Sequence, residues 1–461
     1  MGLLKRTNEE LVSDLKNGKI TVSIYGLGHV GVPLTIAWLL AGAKAIGVDI
    51  DRNKVDAINS GRSPIKEPGA EEAISKFVSE GKLRATTDGK EASLNSEVKL
   101  IAVPVGLDDE KRADLSALKS AAISIGQGLK KGDLVILESS VPPGTTGGFL
   151  KPILEEISGL KAEKDFGLAY SPERIAEGRA IKDIVENYPK IVGGIGPESS
   201  RVASALYSAI ARKGVILMSS DVAAELEKLV EGIYRDVNIA LANEIAGLCR
   251  TLGLDFEEIR MASNSQPFCH LHKAGAGVGG YCIPVYPYFL MKIGEDYGLN
   301  LKLTETGRRI NEGMPKEVVR LIVEGTDKLG LNKEMVKVAL LGLAFRGDVP
   351  DSRLSPTYEI VKELLREGYD AITVHDPLID NDKKLREIGA KLTNDLEEAV
   401  READVVVIVT DHSAYKKLSV SKFRKLAGKP IVLVDGRDIL KIEACFGDSL
   451  YVGVGRPWTS I

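Results

Sequence analysis

The sequence predicts an α/β protein with two doubly wound, mostly parallel sheets, joined by a long central helix and a small helical domain. Three observations predict it. Apolar strand-like runs alternate with helical stretches over the first 215 residues or so, as a parallel sheet requires. They stop at Ser220, where a long helix-periodic segment begins, and resume near Val336. The chain has 461 residues, more than one core usually supports, and about 150 residues per domain gives three units. The boundaries read as 1–215, 216–320 and 321–461.

In the first unit the apolar run Ile20–Tyr25 enters a glycine turn, then a helical pattern over Val30–Ala41, then a second strand ending at Asp49. Further strands are expected at Val98–Val103, Leu134–Glu138, Phe166–Ala169 and Lys190–Val192. The segment Asp221–Thr251 reads as one helix, with Leu226, Leu229, Val230, Ile233, Val237 and Leu241 on a broad apolar stripe. Asp221 is the expected N-cap and Gly253 the expected terminator. Such a helix joins two domains or makes a dimer face, and a homodimer is the expectation. The third unit holds four strands, in VKVALLGLAF, AITVHDP, DVVVIVTDH and PIVLVDGRDI.

Composition excludes several classes. An apolar fraction of 44% with 27% charged residues is ordinary for a globular protein, not a disordered one. Lys+Arg at 61 against Asp+Glu at 65 gives a net charge of −4, which argues against a nucleic-acid partner. No apolar run reaches the roughly 20 residues that span a bilayer, so no membrane partner is expected. The opening stretch MGLLKRTNEELVSDLKNG is charged and lacks a signal-peptide core, so a cytoplasmic protein is expected. Four cysteines, Cys249, Cys269, Cys282 and Cys445, are too few for a disulfide framework, and no His/Cys spacing supports a metal site. Glycine is in surplus, 47 residues against a usual share of about 7%.

That surplus has two foci. Gly26, Gly28 and Gly31, with His29 and Val30 between them, form a G-x-G-x-x-G that follows a strand and opens a helix. Gly26 permits the turn, Gly28 lets backbone approach a pyrophosphate, and Gly31 lets helix pack on strand, so the anion meets the amides of the helix N-terminus. Asp49 ends the next strand, where an acid bonds both ribose hydroxyls and repels a 2′-phosphate. The first unit is therefore Rossmann-like, and NAD is the expected cofactor. GLAF in the third unit has one glycine, so no second dinucleotide turn is expected there. The other focus, Gly275–Gly280, lies just before Cys282. Backbone can close round a ligand there and leave a thiol open to attack an aldehyde; a small buried cysteine in a turn reads equally well. Cys249, inside the long helix, reads as core.

GLGHVGVPL, VDIDRNKVDAINSG, SSVPPGTT, SPERIAEG, EKLVEGIYRDVNIALANE, GAGVGGYCIP and GLAFRGDVPDSRLSP occur in the order found in UDP-sugar 6-dehydrogenases, which the chain resembles over nearly its whole length. The RDVNIALANE and SPER wordings are closer to the UDP-N-acetylhexosamine branch (mannosamine or glucosamine) than to the UDP-glucose branch. The resemblance implies two Rossmann-like domains, a UDP-sugar substrate, and oxidation of the C6 alcohol to a carboxylate in two hydride transfers with two NAD. It also assigns roles. Cys282 attacks the aldehyde to give a thiohemiacetal whose oxidation leaves a thioester. Lys228 offers positive charge to an oxyanion. Glu173, a partly buried carboxylate, lies near the catalytic water as a base, with Glu177 on the substrate. Arg235, two helical turns from Lys228, and Asn238 belong to the substrate set, with Gly279 and Arg346. Ser140 orders a water beside the cofactor, and Arg353 reaches the cofactor. UDP-glucose is the nearest alternative substrate. A β-hydroxyacid-type dehydrogenase also pairs a Rossmann domain with a helix lysine, but needs neither the Cys282 loop nor a third domain.

The chain departs from that pattern at several positions. Tyr286 stands where the family has an aspartate, Gly232 where it has an asparagine, Tyr281 where the acetylhexosamine branch has histidine, and Phe268 where relatives have arginine. Val105 and Gly106 replace Thr-Pro beside the cofactor. A tyrosine, with an ordinary pKa near 10, is a poor base at neutral pH. Mid-helix glycine costs about 1 kcal/mol. The changes fall at the sugar and water sites, so a catalytically impaired nucleotide-sugar sensor is the alternative outside the enzymes. His270 and His272 are expected to be loop residues.

Overall fold

Val22 to Tyr25 are all buried, without the in–out alternation of a half-exposed strand, as a sheet covered on both faces demands. The computed structural model describes residues 2–442 and 447–461, so Cys445 lies outside the described residues. The chain divides into two units, Met1–Glu231 and Gly232–Ile461.

The first unit holds one sheet of eight strands: β1 (Thr21–Tyr25), β2 (Lys44–Val48), β3 (Leu83–Thr86), β4 (Val98–Ile101), β5 (Leu134–Leu137), β6 (Gly167–Tyr170), β7 (Lys190–Gly194) and β8 (Val215–Leu217). Their order is β8-β7-β6-β5-β4-β1-β2-β3. Neighbours run parallel, save β6 and β7, which pair antiparallel with Ala169 opposite Gly194. The order reverses between β1 and β4, and at such a switch point a crevice opens beyond the strand ends. Helix α1 (Gly31–Leu40) leaves β1 through the glycine turn, and its Trp38 is buried edge-on to Tyr207 at 5.5 Å. The expected strands are all present; β3 and β8, short and at the two sheet edges, were not among them.

Helix α2 (Asp221–Leu252) carries the chain from one unit into the other. Its N-cap is not Asp221, as the sequence suggests, but Ser220, whose Oγ accepts from the Ala223 amide at 3.1 Å. Asp221 is inside the helix and buried. Gly253 does terminate it, with φ +76° and the Leu254 amide donating back to the Cys249 carbonyl, a Schellman-type closure. The apolar stripe of α2 is only partly used. Leu229 and Ile233 are buried, whereas Val222, Leu226, Val230, Tyr234, Leu241, Leu248 and Leu252 stand exposed.

The second unit holds a seven-stranded sheet of β9 (Lys337–Leu341), β10 (Ala371–His375), β11 (Lys391–Thr393), β12 (Val405–Ile408), β13 (Val432–Asp435), β14 (Leu450–Gly453) and β15 (Thr459–Ser460). Its order, β11-β10-β9-β12-β13-β14-β15, again reverses beside the first strand, and only β15 is antiparallel. Two helices precede it, α3 (Tyr286–Asp296) and α4 (Lys302–Lys328). Buried Arg308 of α4 donates to Asp236 of α2 at 2.8 Å, and Asn311 donates to the same carboxylate and accepts from Asn243. Among the described residues no helix is long and apolar enough to cross a membrane, and no cluster of three His, Cys, Asp or Glu could hold a metal ion.

Breaking this buried pair leaves an uncompensated charge, so Asp236→Ala is expected to cost about 3–5 kcal/mol. Thermal or urea unfolding measures it; a cost below about 1 kcal/mol would mean that the pair contributes little.

Candidate active site

The glycine turn is built by exclusion. A Cβ on Gly31 would collide with the Gly26 carbonyl oxygen, and one on Gly26, held at φ +100°, would lie 2.5 Å from the Ala102 carbonyl after β4. A Cβ on Gly28 would meet nothing within 4 Å, so the space above the turn is open. His29 at the tip is exposed and Val30 half-buried. Asp49 follows β2, nine-tenths buried; Leu27 and Asp51 donate their amides to it at 2.8 and 2.9 Å, and the Lys54 ammonium lies 3.1 Å away. Burial opposes ionisation of this carboxyl, but those amides and Lys54 hold it below its ordinary range. A tight turn, an open face at Gly28 and an anchored carboxylate fit a dinucleotide with free ribose hydroxyls. Ser140, just beyond β5, is half-buried. His29 Nδ1 and Glu177 Oε1 are 3.6 Å apart, so the SPERIAEG loop reaches the turn.

Glu173 is buried, and its carboxylate turns inward: Oε1 accepts from the Arg174 amide and Oε2 lies 3.2 Å from the Lys190 ammonium. Lys228 of α2 donates to the Glu173 carbonyl oxygen, which ties the helix lysine to the SPER loop. Glu173 is thus buried, and Glu177 and Lys228 are half-buried, rather than solvated as two acids and a lysine in isolation would imply. Beside Lys228, burial and the Glu231 carboxylate push Glu227 up to about 7. Glu225 of the same helix accepts from the amides of Gly144 and Thr146 and from the Thr146 hydroxyl, fixing the PPGTT loop at 2.5–2.7 Å.

In the second unit the thiol loop is packed against the segment after β9. Cβ atoms on Gly279 and Gly280 would lie 2.6 and 2.9 Å from Phe345, and the Gly280 amide donates to the Arg353 carbonyl at 2.8 Å. These glycines thus seat backbone on backbone beside Arg346, which is exposed. Cys282 is a free, exposed thiol, so the buried-turn alternative falls away; its carbonyl accepts from the Tyr286 amide as α3 begins. Cys249 is buried, as expected. Arg353 is bound to Asp351 and lies over the Tyr281 ring, 5.1 Å from its centroid. Asn238 accepts from the His272 amide and donates to the His270 carbonyl, clamping the loop that carries both histidines. Arg235 is exposed close to His272, whose pKa burial and the two arginines Arg235 and Arg260 lower. Phe268 is 92% exposed.

Two departures are a matched pair. A Cβ on Gly232 would run into the Tyr286 ring, which is buried and stacked on Phe289. The missing side chain on α2 is the room that the tyrosine fills. Arg437, absent from the sequence reading, also belongs to this loop: a Cβ on Gly275 would meet its guanidinium at 2.5 Å, and Asp411 and Asp435 face it. The Asp-Gly-Arg after β13 was the available signal.

A glycine-turn dinucleotide domain and a glycine-seated thiol, carried on one chain, define a dehydrogenase class. The chain matches the UDP-glucose/GDP-mannose dehydrogenase family over its NAD binding domain (residues 20–211), central domain (222–313) and UDP binding domain (339–442). It belongs to that family, and is an NAD-dependent nucleotide-sugar dehydrogenase. It is 36% identical over 439 residues to the UDP-N-acetyl-D-mannosamine dehydrogenase of Pyrococcus horikoshii, covering 94% of this chain and 99% of the relative. It is 35% identical to the NDP-N-acetyl-D-galactosaminuronic acid dehydrogenase of Ralstonia nicotianae, over 88% and 93% of the two chains. The solved P. horikoshii enzyme superposes with a TM-score of 0.87 at 32% identity, covering 95% and 99%. A UDP-glucose dehydrogenase from Pyrobaculum islandicum gives 0.82 at 28%, covering 95% and 98%.

Restoring asparagine at Gly232 alone is expected to destabilise the protein by about 1–3 kcal/mol through overpacking. The double change Gly232→Asn with Tyr286→Asp recovers at least about 1 kcal/mol of that loss in a double-mutant cycle. Additive costs would show that the two positions do not share space.

Proposed function

We propose that the protein oxidises the C6 alcohol of a UDP-N-acetylhexosamine to the carboxylate in two NAD-dependent steps, with UDP-glucose as the nearest alternative substrate. Cys282 carries the proposal: it is an exposed thiol that follows a loop whose glycines pack closely on Arg437, Phe345 and the Leu354 carbonyl. The relatives named as UDP-N-acetyl-D-mannosamine dehydrogenases support the acetylhexosamine class. Two NAD, bound in turn, would each take up one hydride.

The protein's own groups do the rest. The turn Gly26–Gly31, with His29 and Val30, holds the pyrophosphate, and Asp49 the ribose hydroxyls. Ser140 positions a water and Arg353 reaches the dinucleotide. Arg235, Asn238, Gly279, Arg346 and Glu177 hold the UDP-sugar. Lys228 stabilises charge on the C6 oxygen as its proton leaves. The Cys282 thiolate then adds to the aldehyde carbonyl; loss of the second hydride leaves a thioester. Glu173 takes a proton from the water that cleaves it, returning the thiol and releasing the carboxylate.

In this reading residues 1–215 bind NAD, 216–320 supply the lysine and the thiol loop, and 321–461 bind UDP. The exposed apolar side chains of α2 support a homodimer, since a monomer seldom leaves such a stripe in water. Dependence on NAD supports a cytoplasmic location.

A panel of UDP-sugars with NAD, followed by NADH absorbance, tests the proposal. Two NADH per sugar are expected for an acetylhexosamine, and Cys282→Ser loses the second. One NADH per sugar in the wild type overturns the four-electron reaction, and binding without turnover across the panel turns the reading to a sensor.

A further inference from the structure

Behind Glu173 lies a buried chain of ionisable groups that the reaction above does not use. Lys190, at the start of β7, sits between two carboxylates: its ammonium is 2.7 Å from Glu138 Oε2 and 3.2 Å from Glu173 Oε2, and it also donates to the Pro172 carbonyl. Glu138, directly after β5, is fully buried, and the Tyr207 hydroxyl donates to its other oxygen. The three charged side chains are 0–6% exposed. Such groups are costly to desolvate, and one cation shared by two anions leaves the trio with a net negative charge that water cannot screen.

We propose that Glu138 and Lys190 are positioning residues that set how strongly Glu173 holds a proton, resting on Glu173 as the water-activating base. When Glu138 is ionised, Lys190 divides its charge between two carboxylates and Glu173 is the more basic. When Glu138 takes a proton, Lys190 pairs with Glu173 alone and the base weakens. Burial, opposed by Lys190 and reinforced by Glu173, pushes the Glu138 carboxyl up to about 7, where this exchange matters. The other ionisable groups facing the trio are few. Tyr207 favours the ionised form of Glu138, and buried Tyr170 of β6 lies in the field of the same carboxylate. The Arg174 guanidinium is engaged by Glu231, and from α2 Lys228 meets the Glu173 carbonyl, with Glu227 and Glu225 behind it.

The test is the titration of the Glu173 carboxyl by 13C NMR of glutamate-labelled full-length protein, its resonance assigned by loss in Glu173→Gln. Glu138→Gln, a permanent stand-in for the protonated state, is expected to lower the Glu173 midpoint by at least about half a pH unit, roughly threefold in proton affinity. Tyr207→Phe moves it the same way by less, and Lys190→Met moves it up. In parallel, the acid limb of the rate of thioester hydrolysis shifts down in Glu138→Gln, whereas a merely structural defect lowers that rate at every pH and leaves the limb in place. An unmoved Glu173 midpoint in Glu138→Gln and Tyr207→Phe overturns the proposal, even if Lys190→Met fails to fold. A Glu173→Gln enzyme that cleaves the thioester and turns over at the wild-type rate overturns instead the assignment of Glu173 as base, whatever the midpoints do.

Discussion

Backbone approaching closer than a Cβ allows is the constraint on which both halves of this protein depend. The Gly31–Gly26 contact brings helix onto strand and so turns the first amides of α1 toward the open space above Gly28. The close approach of Gly279 to the Leu354 carbonyl seats the thiol loop, on which Cys282 is exposed. Any larger residue at these positions must displace backbone, which cannot yield as a flexible side chain can. Nearby charges are held by short contacts: Asp49 by two amides beside the turn, Arg353 by Asp351 and the Tyr281 ring.

Much of the fold was legible because its signals are local. Strand, turn, helix and acid fall within thirty residues from Ile20 to Asp49, and long apolar runs mark the parallel strands. What escaped was β3 and β8 at the edges of the first sheet, β11, β14 and β15 of the second, which has seven strands where four were expected, and the shift of the α2 cap from Asp221 to Ser220, since both residue types cap well. The site was legible only in part. Cys282, Lys228 and Glu173 are proposed from their motifs, and the exposure of Cys282 removes the reading of a small buried cysteine that sequence alone left even. Lys190 and Glu138 lie 52 residues apart with no local pattern, and nothing short of the folded sheet joins them.

The departures from the family pattern change meaning in three dimensions. Read singly, Gly232 is a lost donor and Tyr286 a lost carboxylate, both pointing to impaired chemistry. In the structure each explains the other: the ring occupies the volume that the glycine vacates, so the change is an exchange of a polar pair for a packed aromatic. Tyr281 likewise acquires a partner in Arg353. Glu173 is meanwhile held by Lys190, and Lys228 is tied to the SPER loop.

The central claim is that carbon is held covalently on one cysteine between the two oxidations. Mass spectrometry of Glu173→Gln enzyme, acid-quenched after a single turnover with NAD and substrate, tests it most directly. The account predicts two NADH released per site and a uronyl thioester on the peptide containing Cys282. Two NADH with every cysteine unmodified, or an adduct on Cys249 or Cys269, would contradict it.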